Sequence, residues 1–221
     1  MKLFKILRSG IFWTMSAILM LVLFFGFFAL IGAIQAKIFV PDECLIWIFK
    51  YPFSMLIFVY ELYIIFGFLY LFNKSFREFV VPDLKSHIKH RKISAAIFIT
   101  LNIVMLYAML VDVAVVSDHK IINHTFLSPG GERYSFNDIE IIETGVSGKK
   151  FIFPFSHYRK GDFYYILQLK DGTRIHLTDV GGTRNDEHET FIIERLDRQF
   201  VNMGIDKKSS MKNFEYCKEG L

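Results

Sequence analysis

The sequence predicts a membrane α-helical half of three transmembrane helices followed by a C-terminal α+β domain, and three observations predict it. Apolar residues make up 52% of 221 residues, with 25 phenylalanines and a positive mean hydropathy, richer than the usual soluble mixture. These residues gather before Val116 in three long runs. From residue 117 onward the pattern becomes short alternating stretches with acids and bases nearly balanced. The expected division is a transmembrane domain over 1–116, a β-rich domain with a C-terminal helix over 117–204, and a flexible tail over 205–221.

Orientation follows from the polar segment between the second and third runs. It carries Lys74, Arg77, Lys85, Lys89, Arg91 and Lys92 against Glu78 and Asp83, and short loops this basic stay on the cytoplasmic side. Lys2, Lys5 and Arg8 give the N-terminus the same preference. Three crossings then leave the C-terminal domain outside the cytoplasm, with the plasma membrane as the expected location.

The first run, residues 10–34, is uncharged and longer than the roughly 20 residues that cross the hydrocarbon core. A cleaved signal peptide would have an apolar region of about 7–15 residues and a small-x-small site. Residues 35–50 form an outer connection without positive excess. Within it, Cys44–Phe49 is read two ways, as the start of a long second helix or as an interfacial segment anchored by Trp47.

The second helix spans about 51–72 and the third about 93–116. Glu61 lies near the middle of the second, where a carboxylate is expensive. With a rise of about 1.5 Å per residue, Asn102 of the antiparallel third helix falls at a similar depth, so the two form an expected interhelical polar pair. That pair is either packing or part of a polar path through the membrane.

In the second half, KIINHTFL, PGGE and RYSFNDIEIIETGV read as strands around a Gly-rich turn. FYYILQLKDGTRIHLTD reads as a hairpin with a type I′ signal at Asp171-Gly172. Asp186 with Glu189 forms a capping box ahead of a helix whose apolar stripe is Ile192, Ile193, Leu196 and Phe200, with Gly204 as its stop.

Strands followed by one amphipathic helix, with YSFNDIEII, LKDGTRIHL and ETFIIERLDRQF, resemble the bacterial pleckstrin-homology-like (PH-like) domains fused to transmembrane helices, over residues 119–203. The resemblance implies a small bent antiparallel sheet or partial barrel capped by the helix. It also implies a binding or assembly role and supplies no catalytic residue.

One surface stands out as a place for lipid or a partner. Lys149, Lys150, His157, Arg159 and Lys160 flank Phe151, Phe153 and Phe155, an apolar tip with basic shoulders that also reads as a core strand with solvated ends. Metal ligation is not expected, since His119, His124, His176 and His188 match no compact ligand spacing and His87 and His90 sit among cations. Cys44 and Cys217 have no framework spacing, Asn123-His124-Thr125 is formally a glycosylation sequon, and Gly181-Gly182 lacks a phosphate-loop context. No cofactor, nucleic acid or catalytic activity is expected. The expected partners are the bilayer and another membrane or envelope protein, with the chain acting as scaffold, envelope sensor or immunity factor. The alternative is a transporter or channel component using Glu61 and Asn102.

Overall fold

The computed structural model describes residues 2–79, 91–148, 157–184 and 187–220, with side chains for all of these except 2–13, 91–92 and 218–220. The chain divides into two compact units, Met1–Ile34 with Leu56–Leu106 and Gln35–Met55 with Tyr107–Leu221.

Three helices dominate the first half: α1 (Lys2–Phe39), α2 (Leu56–Phe72) and α3 (Arg91–Val111). Each contains a stretch long and apolar enough to cross a bilayer, at Thr14–Phe39, Phe53–Phe72 and Ile93–Val111. Side chains such as Phe25, Leu71 and Ile97 are more than half exposed in the protein, as residues that face lipid are. α1 continues five residues beyond its expected end at 34. Gln35, fully buried, there donates to the Met109 carbonyl at 2.9 Å.

The second unit contains two sheets and a helix. One sheet has the order β4-β3-β2-β1-β8, with β1 Cys44–Phe49, β2 Val113–Ser117, β3 Lys120–Asn123, β4 Glu132–Ser135 and β8 Val180–Thr183. The other has the order β7-β6-β5-β9, with β5 Ile139–Val146, β6 Phe163–Leu169, β7 Arg174–His176 and β9 Asp206–Ser209. Neighbouring strands are antiparallel except β5 and β9. Side chains from both sheets form one core with Ile192, Leu196 and Phe200 of α4 (Glu189–Asn202), the stripe expected from the sequence.

Three expectations change here. Cys44–Phe49 does not begin the second helix, because it is a strand paired with β2, Phe49 opposite Val113. The third helix stops at Val111 instead of 116, and Val113–Ser117 is that partner strand. The physical reason is burial on both faces. Ile46, Ile48, Ala114 and Val116 face the main core, while Cys44, Trp47, Val113 and Val115 form a second cluster with Ala36, Phe39 and Val40. A strand buried on both sides reads as an unbroken apolar run, indistinguishable by periodicity from more helix. The tail, expected to be flexible from 205, instead contributes β9, which runs parallel to β5 from Ile141 opposite Asp206 to Thr144 opposite Ser209, and a 3-10 helix at Phe214–Gly220.

Local details follow the chain's chemistry. Asp171-Gly172 does turn the chain, but as a four-residue loop between β6 and β7 with only Gly172 at positive φ (87°), not a two-residue type I′ turn. Asp171 caps it by accepting from the Thr173 N–H at 2.8 Å. Asp186 lies outside the described residues, and the N-cap of α4 is His188, which accepts from the Thr190 N–H. Gly204 ends that helix as expected, at φ 74°. The Gly204 N–H bonds to Val201 and the Ile205 N–H to Phe200, closing a Schellman motif whose Ile205 packs on the core.

Candidate functional site

Two polar clusters are built into the second unit. The first lies where β1 ends and β2 begins. The Lys50 ammonium is 2.7 Å from Asp112 Oδ1 and donates to Asn123 Oδ1 at 2.8 Å and to the His124 carbonyl at 2.7 Å. Its side chain is 14% exposed and that of Asp112 8%, so the pair is removed from water and the three acceptors use all three ammonium protons. Burial raises the Asp112 carboxyl above its ordinary range, and Lys50 opposes that. Asn123 is therefore a buried acceptor for Lys50, which takes the formal sequon out of reach of glycosylation.

The second cluster joins residues from separate parts of the sequence. His157 Nε2 lies 2.6 Å from Asp179 Oδ2, and the Tyr158 hydroxyl lies 2.6 Å from His176 Nδ1 and 3.2 Å from Thr178 Oγ1. The His157 ring stacks on Tyr51 at 4.6 Å and lies 4.2 Å from His176. β7 ends at His176, and the next three residues carry Thr178 and Asp179 to the start of β8. The Phe49 N–H donates to the Asp179 carbonyl at 3.0 Å, tying that segment to the end of β1.

Burial holds His176 down to about 3, with the nearby His157 and Arg174 acting in the same direction, so its ring is neutral near pH 7. Burial likewise pushes the Tyr158 phenol up, so it keeps its proton and can donate to or accept from Nδ1. His157 and Tyr158 line two cavities, one of about 760 Å³ that also reaches Tyr165, Asp197 and Lys207, and one of about 620 Å³ that also reaches Tyr51, Tyr164 and Arg174. The cluster is a shared aromatic and imidazole wall, able to stack a planar group and to exchange hydrogen bonds with it.

His157, His176 and Asp179 offer ligand atoms that all lie within 4.8 Å of one another. Their arrangement is nevertheless that of a hydrogen-bonded network. His157 Nε2 is committed to Asp179, His176 Nδ1 to Tyr158, and the two imidazoles lie face against face at a 32° tilt instead of converging on one centre. An ion would first have to open the His157–Asp179 bond.

The structure redistributes the residues singled out from sequence. Glu61 is 4% exposed on α2, and its Oε2 has no hydrogen-bond partner among the described residues. The expected bond to Asn102 is not made. The Asn102 amide turns back along its own helix to the Phe98 carbonyl at 2.8 Å, and Tyr60, one residue before Glu61, donates to the Asn102 carbonyl at 2.9 Å. The amide has an acceptor one turn away on its own helix, which competes with any partner across the bundle.

Lys149, Lys150, Phe151, Phe153 and Phe155 lie outside the described residues. His157, expected beside them on an open surface, belongs to the half-buried wall, because its ring finds both Asp179 and Tyr51. Arg159 is exposed, its backbone N–H donating to Asp162 Oδ2 at 2.7 Å, and Lys160 sits 3.5 Å over the Tyr216 ring. Of the bases expected to set the topology, Lys74 and Arg77 are exposed, Lys85 and Lys89 lie outside the described residues, and Arg91 and Lys92 begin α3.

Sequence reasoning missed the wall itself. His176 and Asp179 are three residues apart, but His157 and Tyr51 come from distant segments, and only the sheet brings them in. The Gly181-Gly182 pair also gains a reason, since a Cβ at either position would collide with the Trp47 ring that lies across β8. Both cysteines are free thiols, Cys44 buried and pushed by that burial up to about 12. No protein-family model, curated protein or solved structure matches the chain.

Proposed function

We propose that this chain is a multi-pass plasma-membrane protein that displays a PH-like binding or assembly module outside the cytoplasm, acting as scaffold, envelope sensor or immunity factor toward another membrane or envelope protein. The observation that carries the reading is the pairing of β1 with β2. Those strands flank α2 and α3 in sequence, so if these helices cross the bilayer they must both cross it, and the segment after α1 shares a side with the C-terminal domain. The basic residues between α2 and α3 then favour the cytoplasm for the loop and the opposite side for the domain. The imidazole and tyrosine wall supports binding as the activity, through the cavities it separates.

The test is accessibility in intact cells, in a Cys217→Ser background. Cys44, buried and with its thiol held protonated, contributes no labelling in the native protein. A membrane-impermeant maleimide is expected to label Glu140→Cys without lysis and Lys74→Cys only after it, both positions being exposed. The reverse pattern would return the domain to the cytoplasm. Photo-crosslinking from Arg174, on the rim of the smaller cavity, then identifies the partner protein.

A second reading, a transporter or channel component, is favoured by one observation, the buried Glu61 with an unpartnered carboxylate oxygen inside an apolar span. Glu61→Gln separates the two. It abolishes a proton-linked flux in proteoliposomes if the second reading holds, and leaves crosslinking from Arg174 intact if the first does.

A further inference from the structure

The loop joining β3 to β4 ends in an apolar tip. Leu127 is 89% exposed and Phe126 beside it 38%. This exposure belongs to a closed loop, in which the Thr125 N–H bonds to the Ser128 carbonyl at 3.2 Å, the Ser128 N–H returns to Thr125 at 3.1 Å, and the Gly131 N–H joins Ser128 at 3.1 Å. A rigid turn that holds a leucine outward invites a search for what covers it.

Two ring contacts place the tip. Phe126 meets Tyr107 edge-on at 5.3 Å, and His124 lies against Phe39 at 4.9 Å, its Nδ1 2.9 Å from the Pro129 carbonyl. Phe39 is the last residue of the first apolar span, and Tyr107 lies four residues inside the end of the third. At helical rise, Tyr107 is about 6 Å deep from that end. The tip therefore stands level with the ends of two spans, where aromatic side chains favour the bilayer interface. Charge agrees with the placement. No Asp, Glu, Lys or Arg occurs from His124 to Gly131, and the Lys50 ammonium, which reaches the His124 carbonyl, is turned onto Asp112 and Asn123 as well.

We propose that Phe126 and Leu127 insert into the bilayer interface, forming a lipid contact beyond the three helices that holds the domain at the membrane surface. The occupant is the acyl and glycerol region of the lipid, because the loop offers apolar area and no cation for a headgroup. The inference rests on the membrane-spanning reading of the three helices.

The test uses the full chain in nanodiscs of zwitterionic lipid, in the Cys217→Ser background, with a nitroxide at Leu127→Cys, at Ile99→Cys in mid-span, or at Glu140→Cys on the domain. Relaxation by membrane-soluble oxygen is compared with relaxation by a water-soluble nickel chelate. Oxygen is expected to dominate at 99 and 127, and the chelate at 140. A label at 127 that behaves like 140 while 99 behaves as lipid-exposed overturns the tip contact alone. Chelate access at 99 overturns the spanning reading itself. Leu127→Lys provides the second arm, since the side chain is too exposed for packing within the protein to depend on it. Its thermal unfolding temperature in nanodiscs is expected to fall by several degrees, and an unchanged value overturns the proposal.

Discussion

The Lys50 cluster and the His157 wall are both polar, both assembled from distant segments and both tied to the end of β1, yet they differ in what is left for another molecule. Around Lys50 each ammonium proton has an acceptor within the chain, and the Asp112 side chain is buried. Around His157 the groups are only half-buried, the rings present faces and edges to two cavities, and among the described residues His176 keeps a ring nitrogen beyond its bond to Tyr158. The first is a clamp, closed to any ligand. The second has the spare valences recognition needs. Burial of charge alone does not mark a functional site; incomplete internal satisfaction beside open volume does.

Removing one half of the clamp is expected to have the largest effect. Asp112→Ala strands the Lys50 ammonium in a dry site, which typically destabilises by about 3–5 kcal/mol. Urea unfolding followed by Trp47 fluorescence would show it, with the Lys50→Met, Asp112→Leu double variant recovering most of the loss if desolvation is the cause. An Asp112→Ala protein as stable as the parent would erase the contrast between the clusters.

Gly181→Ala comes next. The new methyl meets the Trp47 ring, and such overpacking costs about 1–3 kcal/mol. Because β8 begins one residue after Asp179, the same variant should loosen the His157–Asp179 contact, visible as a shift of the His157 imidazole resonances. A loss of stability without that shift would mean the wall is positioned independently of the first sheet.

Gly204→Ala is the reference, at the C-terminal end of α4. Nothing crowds a Cβ there, so only the left-handed backbone opposes it, by roughly 1–2 kcal/mol in thermal unfolding, with the wall's resonances unmoved.

The smallest effect is a titration. His176 is held at about 3, below the ordinary imidazole value near 6.5, so its contribution is complete above 6.5 and is lost as pH falls toward 3. Allowing for water that reaches the ring, the loss at pH 5 is about 1 kcal/mol, or roughly 2–4 °C in Tm for a chain of this size. His176→Gln should flatten that part of the pH profile, and equal slopes for the two proteins would show that His176 is not the group responsible.

Much of the first half was legible in the sequence because apolar runs of that length, with Glu61 and Asp112 their only charged residues, have few other uses. The same logic failed at Val113–Val116, where a strand buried on both faces imitates the end of a helix. Strand β9 was hidden for the opposite reason. Its Asp206, Lys207, Lys208 and Ser209 are all exposed, so it is held to β5 by backbone bonds and gives no hydrophobic signal. Helix α4 was readable because stripe, stop and length agree locally. The candidate site was not, because Tyr51 and His157 approach His176 and Asp179 only through sheet pairing, and residue spacing carries no record of that. Glu61 stands out in the sequence as the one carboxylate of the second apolar run, but the α2 side chain that bonds to Asn102 is that of Tyr60.

The strand between the first two helices has a consequence for assembly. During synthesis β1 emerges early and has no antiparallel neighbour until β2 follows the third helix, so the central pair of the sheet closes only after the whole hairpin of α2 and α3 has been made. A protease cutting between those two helices would not release the globular part, which would remain anchored through both pieces. A recombinant fragment starting at residue 117 would lack the two innermost strands, Leu45 and Ile48 among its missing core, and is expected to aggregate instead of folding.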